Sequence, residues 1–328
     1  MTKRDFGLNI LETEKQETFS SFQYNPIGVQ RTYGVLLRSQ NEKEEKVQIH
    51  YEIDIMCLEQ KDKHNYIFEI YKHPVYANEK KPDSIIDELA ASCGAIIYPL
   101  QIMVNSAGAA IEIINYKTLQ ERWKNTRSKI KQSYNGAIVN QLISNMDHMV
   151  DQPDRIKEEL LHKDWFMVLF FAQIYRNIDV THTIALSLIP YKKSISYQVT
   201  QNRKRHPHKE KDILIEQKGK CIDIRNEQDI LRGNLISLSK TPVVNGTSDF
   251  TYQIYAGSPI ADAIVGHAQI DFPSGKKEIM DVEIYHLKNK TPQTSFEKEQ
   301  AQKENENKVP IPEKKKKRYF FFGKELKL

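Results

Sequence analysis

The sequence predicts an α+β fold in which antiparallel β-sheet blocks flank a central helical layer, followed by a disordered basic C-terminal tail. Three observations carry this. Period-two patterns fill two separate blocks, helical patterns lie between them, and no glycine-rich strand-to-helix turn marks a doubly wound parallel sheet.

In the first block, Val47, Ile49, Tyr51, Ile53, Ile55 and Cys57 alternate with Gln48, His50, Glu52, Asp54 and Met56. Such a strand has one apolar and one mostly polar face. Tyr33, Val35 and Leu37 precede it and Tyr66, Phe68 and Ile70 follow it, which predicts an antiparallel meander.

At Pro82-Asp83 the period changes. Ile85, Ile86, Leu89, Ala90 and Cys93 fall on one helical face and Gly94 supplies a stop. Strands over 96–104 and 109–114 follow, joined by Asn105-Ser106-Ala107-Gly108, whose residues suit a tight hairpin. Asn115 is a predicted N-cap for a helix carrying Leu119, Trp123, Ile130 and Tyr134 on one face. Asn135-Gly136 interrupts it. Another helix carries Ile138, Val139, Leu142, Ile143 and Met146, and Pro153 opens the next at a position where its missing N–H costs little. The apolar block 165–175 reads as the buried centre of the helical layer.

The second strand block runs over 183–288. Ile195, Tyr197 and Val199 alternate, 250–255 is rich in aromatics, and strands over 264–272 and 279–287 are joined by Pro273-Ser274-Gly275. The body therefore spans 1–290, divisible into subdomains of about 20–180 and 181–290, with a linker and basic, aromatic tail over 291–328. Whether the two β blocks form one sheet or two stays open at this level.

Of the net charge of +5, the tail supplies +4, with ten basic against six acidic residues after Lys290. The body is thus nearly neutral, which excludes a surface built throughout for nucleic acid or anionic lipid. The N-terminus shows no apolar secretory segment, and the run from Trp165 to Ala172 is far short of the roughly 20 residues of a membrane span. Cys57, Cys93 and Cys221 are widely separated and read as reduced, mostly buried thiols. A cytoplasmic location is expected.

For chemistry, no motif assigns a catalytic residue, a metal ligand or a cofactor. Glu52, Asp54 and Glu69 could stand as paired carboxylates on neighbouring strands, but alternation puts them on a solvated sheet face. His148 with Asp151, and His162 with Asp164, do not fit the two-histidine zinc helix. Cys93 stands at a helix end, where the dipole disfavours a thiolate. Asn245-Gly246-Thr247 reads as a turn rather than a glycosylation site. Trp123 and Trp165 could line a cavity, and core packing is the stronger reading. Arg203, Lys204, Arg205 and Lys209 surround His206-Pro207-His208 in an expected loop and offer an anion contact, a nucleic-acid phosphate included, without aromatic residues for base stacking.

The tail is the distinctive surface. Lys314, Lys315, Lys316, Lys317 and Arg318 precede Tyr319, Phe320, Phe321 and Phe322, in a segment too polar to bury four aromatic rings by itself. The first reading is a peptide that docks into a protein partner, the lysines speeding encounter. The second is a tail folded back on its own body, and the third is peripheral contact with a membrane surface. In general texture the chain is similar to lysine-rich bacterial proteins, a likeness that transfers no residue roles. The expected function is a non-enzymatic binding protein, adaptor or assembly component of a larger complex. The competing classes are an enzyme or small-ligand binder with a pocket between sheet and helices, and a nucleic-acid-associated protein.

Overall fold

The structure is a computed structural model that describes residues 24–41, 46–79, 85–176, 181–190, 192–233, 244–290, 292, 319–321 and 324–326. The first meander comprises β1 (Gln30–Asn41), β2 (Lys46–Asp62), β3 (Asn65–Lys72), a short β4 (Tyr76–Ala77), helix α1 (Ile85–Ala95), β5 (Leu100–Asn105) and β6 (Ala110–Ile113). Four helices follow: α2 (Tyr116–Ser133), α3 (Ala137–Val150), α4 (Pro153–Leu161) and α5 (Trp165–Phe170). The second meander comprises β7 (Thr181–Leu186), β8 (Ile195–His206), β9 (Lys209–Cys221), α6 (Glu227–Arg232), β10 (Asn245–Ile254), β11 (Ala263–Asp271) and β12 (Lys277–His286). Two short strands near the C-terminus, β13 (Tyr319–Phe321) and β14 (Lys324–Leu326), pair with each other in a separate two-stranded sheet.

The fold is α+β and mostly antiparallel sheet. The two strand blocks are not separate sheets on either side of a helical layer. They join into one twelve-stranded sheet, in the order β6-β5-β3-β2-β1-β12-β11-β10-β9-β8-β7 with β4 on β2. The junction is the antiparallel pair of β1 and β12, where Tyr33 lies opposite His286 and Leu37 opposite Val282. The sheet therefore crosses the expected boundary near residue 180. The helices connect its two outer edges in the sequence, and the last of them, α4 and α5, contribute residues to the sheet core.

Alternation decides which face is buried. Tyr33, Val35, Ile53, Ile55, Phe68, Ile70, Ile102, Val104, Tyr197, Val199, Phe250, Tyr252, Ile264 and Ile284 all point to one side and are buried there. Against them lies the aromatic block 165–175. Phe170 meets Tyr33 edge-on at 4.9 Å between ring centroids, Phe166 stacks on Phe170 at 4.9 Å, and Phe171 meets Phe68 at 5.5 Å. Edge-to-face and offset contacts at these separations suit the ring quadrupole. Trp165 belongs to this sheet core and donates its indole N–H to the Ser187 carbonyl at 3.2 Å.

A second, smaller core holds α1, α2 and α3 together through Leu89, Cys93, Ile96, Trp123, Ile130, Val139 and Ile143. Trp123 donates to the Asp147 carboxylate at 2.7 Å, and Arg127 grips the same carboxylate through two nitrogens. Burial raises the Asp147 carboxyl, but these donors outweigh it and hold the group below its usual range. Ile138, expected on the inner face of α3, is exposed instead.

Local expectations are met in several places. The hairpin at Asn105 closes on Gly108 at φ +90°, where an added Cβ would strike the Tyr175 ring. Gly136 separates α2 from α3, and Pro153 is the first residue of α4. The start of α1 at Pro82-Asp83 lies outside the described residues. Other expectations are corrected. Asn115 stands at the N-cap position of α2, but its side chain makes no capping hydrogen bond: it accepts from the Gln101 amide and donates to the Pro99 carbonyl, tying the helix start to β5. Asn245-Gly246-Thr247 is no turn but the start of β10, where the Gln269 carbonyl of β11 approaches Gly246 too closely for any side chain.

Candidate functional site

Because the sheet ends in β6 on one side and β7 on the other, the chain must manage two strand edges. Helix α4 stands in the seam between them. Ile156 and Leu161 on its inner side are buried in the sheet core, and its outer residues form a groove with each edge strand. On the β6 side, Pro153, Asp154 and Lys157 face Ile111, Glu112, Ile113 and Tyr116 around a groove of about 420 Å³. On the β7 side the groove is larger, about 630 Å³.

This larger groove has one wall made by Glu158 and Lys163 and another made by Thr183 and Ala185 of β7 with Ser194 and Ser196. Its floor and end are Ile222, Asp223, Ile224 and Arg225, which follow β9. Asp223 and Arg225 form a bidentate pair at 2.6–2.8 Å that also anchors the Ser194 carbonyl. Burial pushes the Asp223 carboxyl up, but the Arg225 hydrogen bonds and charge more than offset this and hold it below the usual carboxylate range. The pair is therefore structural. Ile222 and Ile224 are left 44% and 70% exposed, so they present apolar surface in the groove. Among the described residues strand β7 pairs with β8, and its sequence Thr-His-Thr-Ile-Ala-Leu holds no formally charged residue.

The four cations expected to contact anions are placed by the structure, and they do not stand in a loop. Strand β8 continues to His206 and β9 begins at Lys209, so Arg203, Lys204 and Arg205 lie on the strand arm of a hairpin. Arg203 donates to the carbonyls of Ile174 and Arg176, Lys204 pairs with Glu216, Arg205 donates to the Glu210 carbonyl, and Lys209 lies over the Tyr255 ring. Each thus has a partner within the protein.

The tail is reached only in part. Residues 314–318 and Phe322 lie outside the described residues, whereas Tyr319, Phe320 and Phe321 form β13, with Tyr319 opposite Leu326, Phe320 opposite Glu325 and Phe321 opposite Lys324. The hairpin partner Lys324–Leu326 was not foreseen from the sequence.

The carboxylates considered for catalysis are held apart by their own partners. Asp54 is buried and accepts from Thr32 at 2.7 Å, with His73 at 2.9 Å. Glu52 pairs with Lys290, and Glu69 accepts from Gln101 at 3.0 Å. His148 contacts Arg155, and Asp164 caps α5 through the Met167 amide while pairing with Lys72. Among the described residues no group of three or more His, Cys, Asp or Glu is arranged to hold a metal ion. Burial raises all three thiols, Cys57 to about 11. Also among the described residues, no helix is long and apolar enough to cross a membrane.

No family model matches the sequence, and no curated protein matches it. Among solved structures, a crystal structure of a LolA superfamily protein from Nitrosomonas europaea is 11% identical, covering 84% of this chain and 92% of that chain, with a TM-score of 0.24. A likeness at that level carries no argument about fold or function.

Proposed function

We propose that this chain is a non-enzymatic binding protein, an adaptor or assembly component of a larger cytoplasmic complex, whose C-terminal tail docks into a protein partner. One observation carries the reading. Three residues of the aromatic run, Tyr319–Phe321, form a strand, β13, that among the described residues pairs on one side only, in a hairpin separate from the body sheet. A lone two-stranded hairpin is marginal in water and gains stability by joining a third strand. Tail docking by strand addition follows, with backbone hydrogen bonds supplying affinity and the aromatic side chains supplying selectivity.

The body supports this reading by what fills it. The face of the sheet toward the helices is occupied by Phe166, Phe170, Phe171 and Tyr175 packed on Tyr33, Phe68 and Tyr24, rather than by converging polar groups around a deep pocket. The basic hairpin at 203–209 is engaged with its own fold. The tail also holds most of the net charge.

The test is recovery of a partner from lysate. Removing residues 309–328 should abolish recovery of the same partner that the full chain captures, while the melting temperature stays unchanged. Equal recovery by both chains would remove the tail from the function.

A further inference from the structure

We infer that the groove beside α4, β7 and the segment after β9 binds a short apolar peptide with free termini, its ammonium group at Glu158, its carboxylate at Lys193 and its apolar side chains over Ile222 and Ile224. The site lies wholly on the body and does not depend on the tail.

Three observations converge on it. First, the groove opens on the face of the sheet turned away from the aromatic core. Ala185 pairs with Ser196, whose carbonyl accepts from the Ile222 amide, so the three stand in one row across β7, β8 and the end of β9. Their neighbours Leu186, Ile195, Tyr197 and Cys221 alternate to the other side. The small side chains of Ala185 and Ser196 leave space above this row. The groove's volume of about 630 Å³ falls within the range of small-ligand sites, about 300–1,000 Å³.

Second, the charges that line it are not all spent. Arg225 is bound to Asp223, and Lys163 pairs with Glu159. Among the described residues, Glu158 and Lys193 make no ion pair. One carboxylate and one ammonium are left to face whatever enters, which suits a zwitterion better than a simple anion or cation. The hydroxyl of Ser194, next to Lys193, is buried without a hydrogen-bond partner among the described residues. Such a group is costly to leave unpaired, and a ligand carboxylate would supply the acceptor it lacks.

Third, Ile222 and Ile224 offer apolar surface in the same groove. An extended tripeptide presents its first and third side chains on one side, a spacing that suits two isoleucines two residues apart. A single free amino acid would leave much of the volume unfilled, and a peptide with a blocked end would leave one charge without a partner.

The experiment is isothermal titration calorimetry of the full chain with the tripeptide Leu-Ala-Leu, free, N-acetylated or C-amidated. Blocking either end should weaken binding about fivefold, as expected for an exposed ion pair. Glu158→Gln should weaken the free peptide by the same factor and leave the acetylated one unchanged, and Lys193→Met should do the same for the free and amidated forms. Ile224→Ser should weaken all of them. Each replaced side chain is exposed, so the melting temperature should not change. Absence of binding heat at millimolar peptide would overturn the inference. Equal binding of the free and blocked forms would overturn it too, by marking apolar contact alone. Loss on amidation without loss on acetylation would assign the groove to an apolar monocarboxylate instead, and full affinity in both charge variants would place the peptide elsewhere on the chain.

Discussion

The two edges of this sheet solve the same problem differently. Strand β6 is short, charged and packed beside α4, whereas β7 is longer, without formal charge and bordered by an open groove. Both flank the same helix, so the contrast does not come from the sheet's general architecture. It lies in the strands themselves, because α4 sends Ile156 and Leu161 into the core and presents charged residues to both, Asp154 and Lys157 toward β6 and Glu158 with the nearby Lys163 toward β7. A protected edge belongs to stability.

The largest expected effect tests what both edges depend on, the core beneath them. Phe166→Ala should cost about 3–5 kcal/mol in denaturant unfolding, since Phe166 is fully buried among Tyr33, Phe170 and Phe171. A loss below about 1 kcal/mol would show that the aromatic block does not anchor the sheet. Next comes a direct comparison of the edges. Ile113→Lys on β6 places an ammonium where the native side chain is only 9% exposed and should cost about 2–4 kcal/mol. Thr183→Lys on β7 should change stability by no more than about 0.5 kcal/mol. Similar losses at both sites would erase the distinction between a covered and an open edge.

A smaller effect concerns the floor of the groove. Since the folded Asp223 carboxyl lies below its unfolded value, the Asp223–Arg225 pair contributes stability that is fully present above the usual carboxylate range and is lost as pH falls through the depressed folded value. The stability gap between wild type and Asp223→Asn should be widest near neutrality and narrow below about pH 4. A gap independent of pH would assign the loss to packing.

The smallest effect lies at the central junction. His286 is held below the ordinary histidine range, by burial first and by Arg31 and Lys288 as well, against the opposing pull of Asp262. Its folded state disfavours the proton, so acid should cost stability as pH falls below about 6.5, levelling off once pH is below the folded value. Replacing His286 with glutamine should flatten that part of the pH–stability profile. A profile unchanged by the substitution would locate the acid sensitivity elsewhere.

Much of the fold was legible because burial follows alternation. Tyr51, Ile53, Ile55 and Cys57 mark the inner face of β2 as their spacing predicts, and Leu119, Trp123 and Ile130 mark the inner face of α2. Periodicity is a local signal, however, and the pairing of β1 with β12 is not local. Nothing in the pattern of either strand names the other, so one sheet and two were equally compatible with the sequence. The same limit applies to the groove. Ile222 and Ile224 flank Asp223 in what reads as strand-like alternation, and their exposure arises only because Arg225 and Asp223 turn inward as a pair. The basic run at 203–209 misled for a related reason. Charge signals solvent exposure, and it does not reveal that Arg203 is held by the carbonyls of Ile174 and Arg176.

The central pairing of β1 with β12 also sets the order in which this protein can be completed. During synthesis the first meander emerges with β1 as an unfinished border, and its partner is not made until nearly the whole body has been translated. Contacts this distant in sequence slow folding, and an unpaired strand border invites aggregation while it waits. The first half of the chain is therefore the part expected to need a holding chaperone, and cleavage anywhere before residue 277 would leave an N-terminal fragment that cannot close its own sheet.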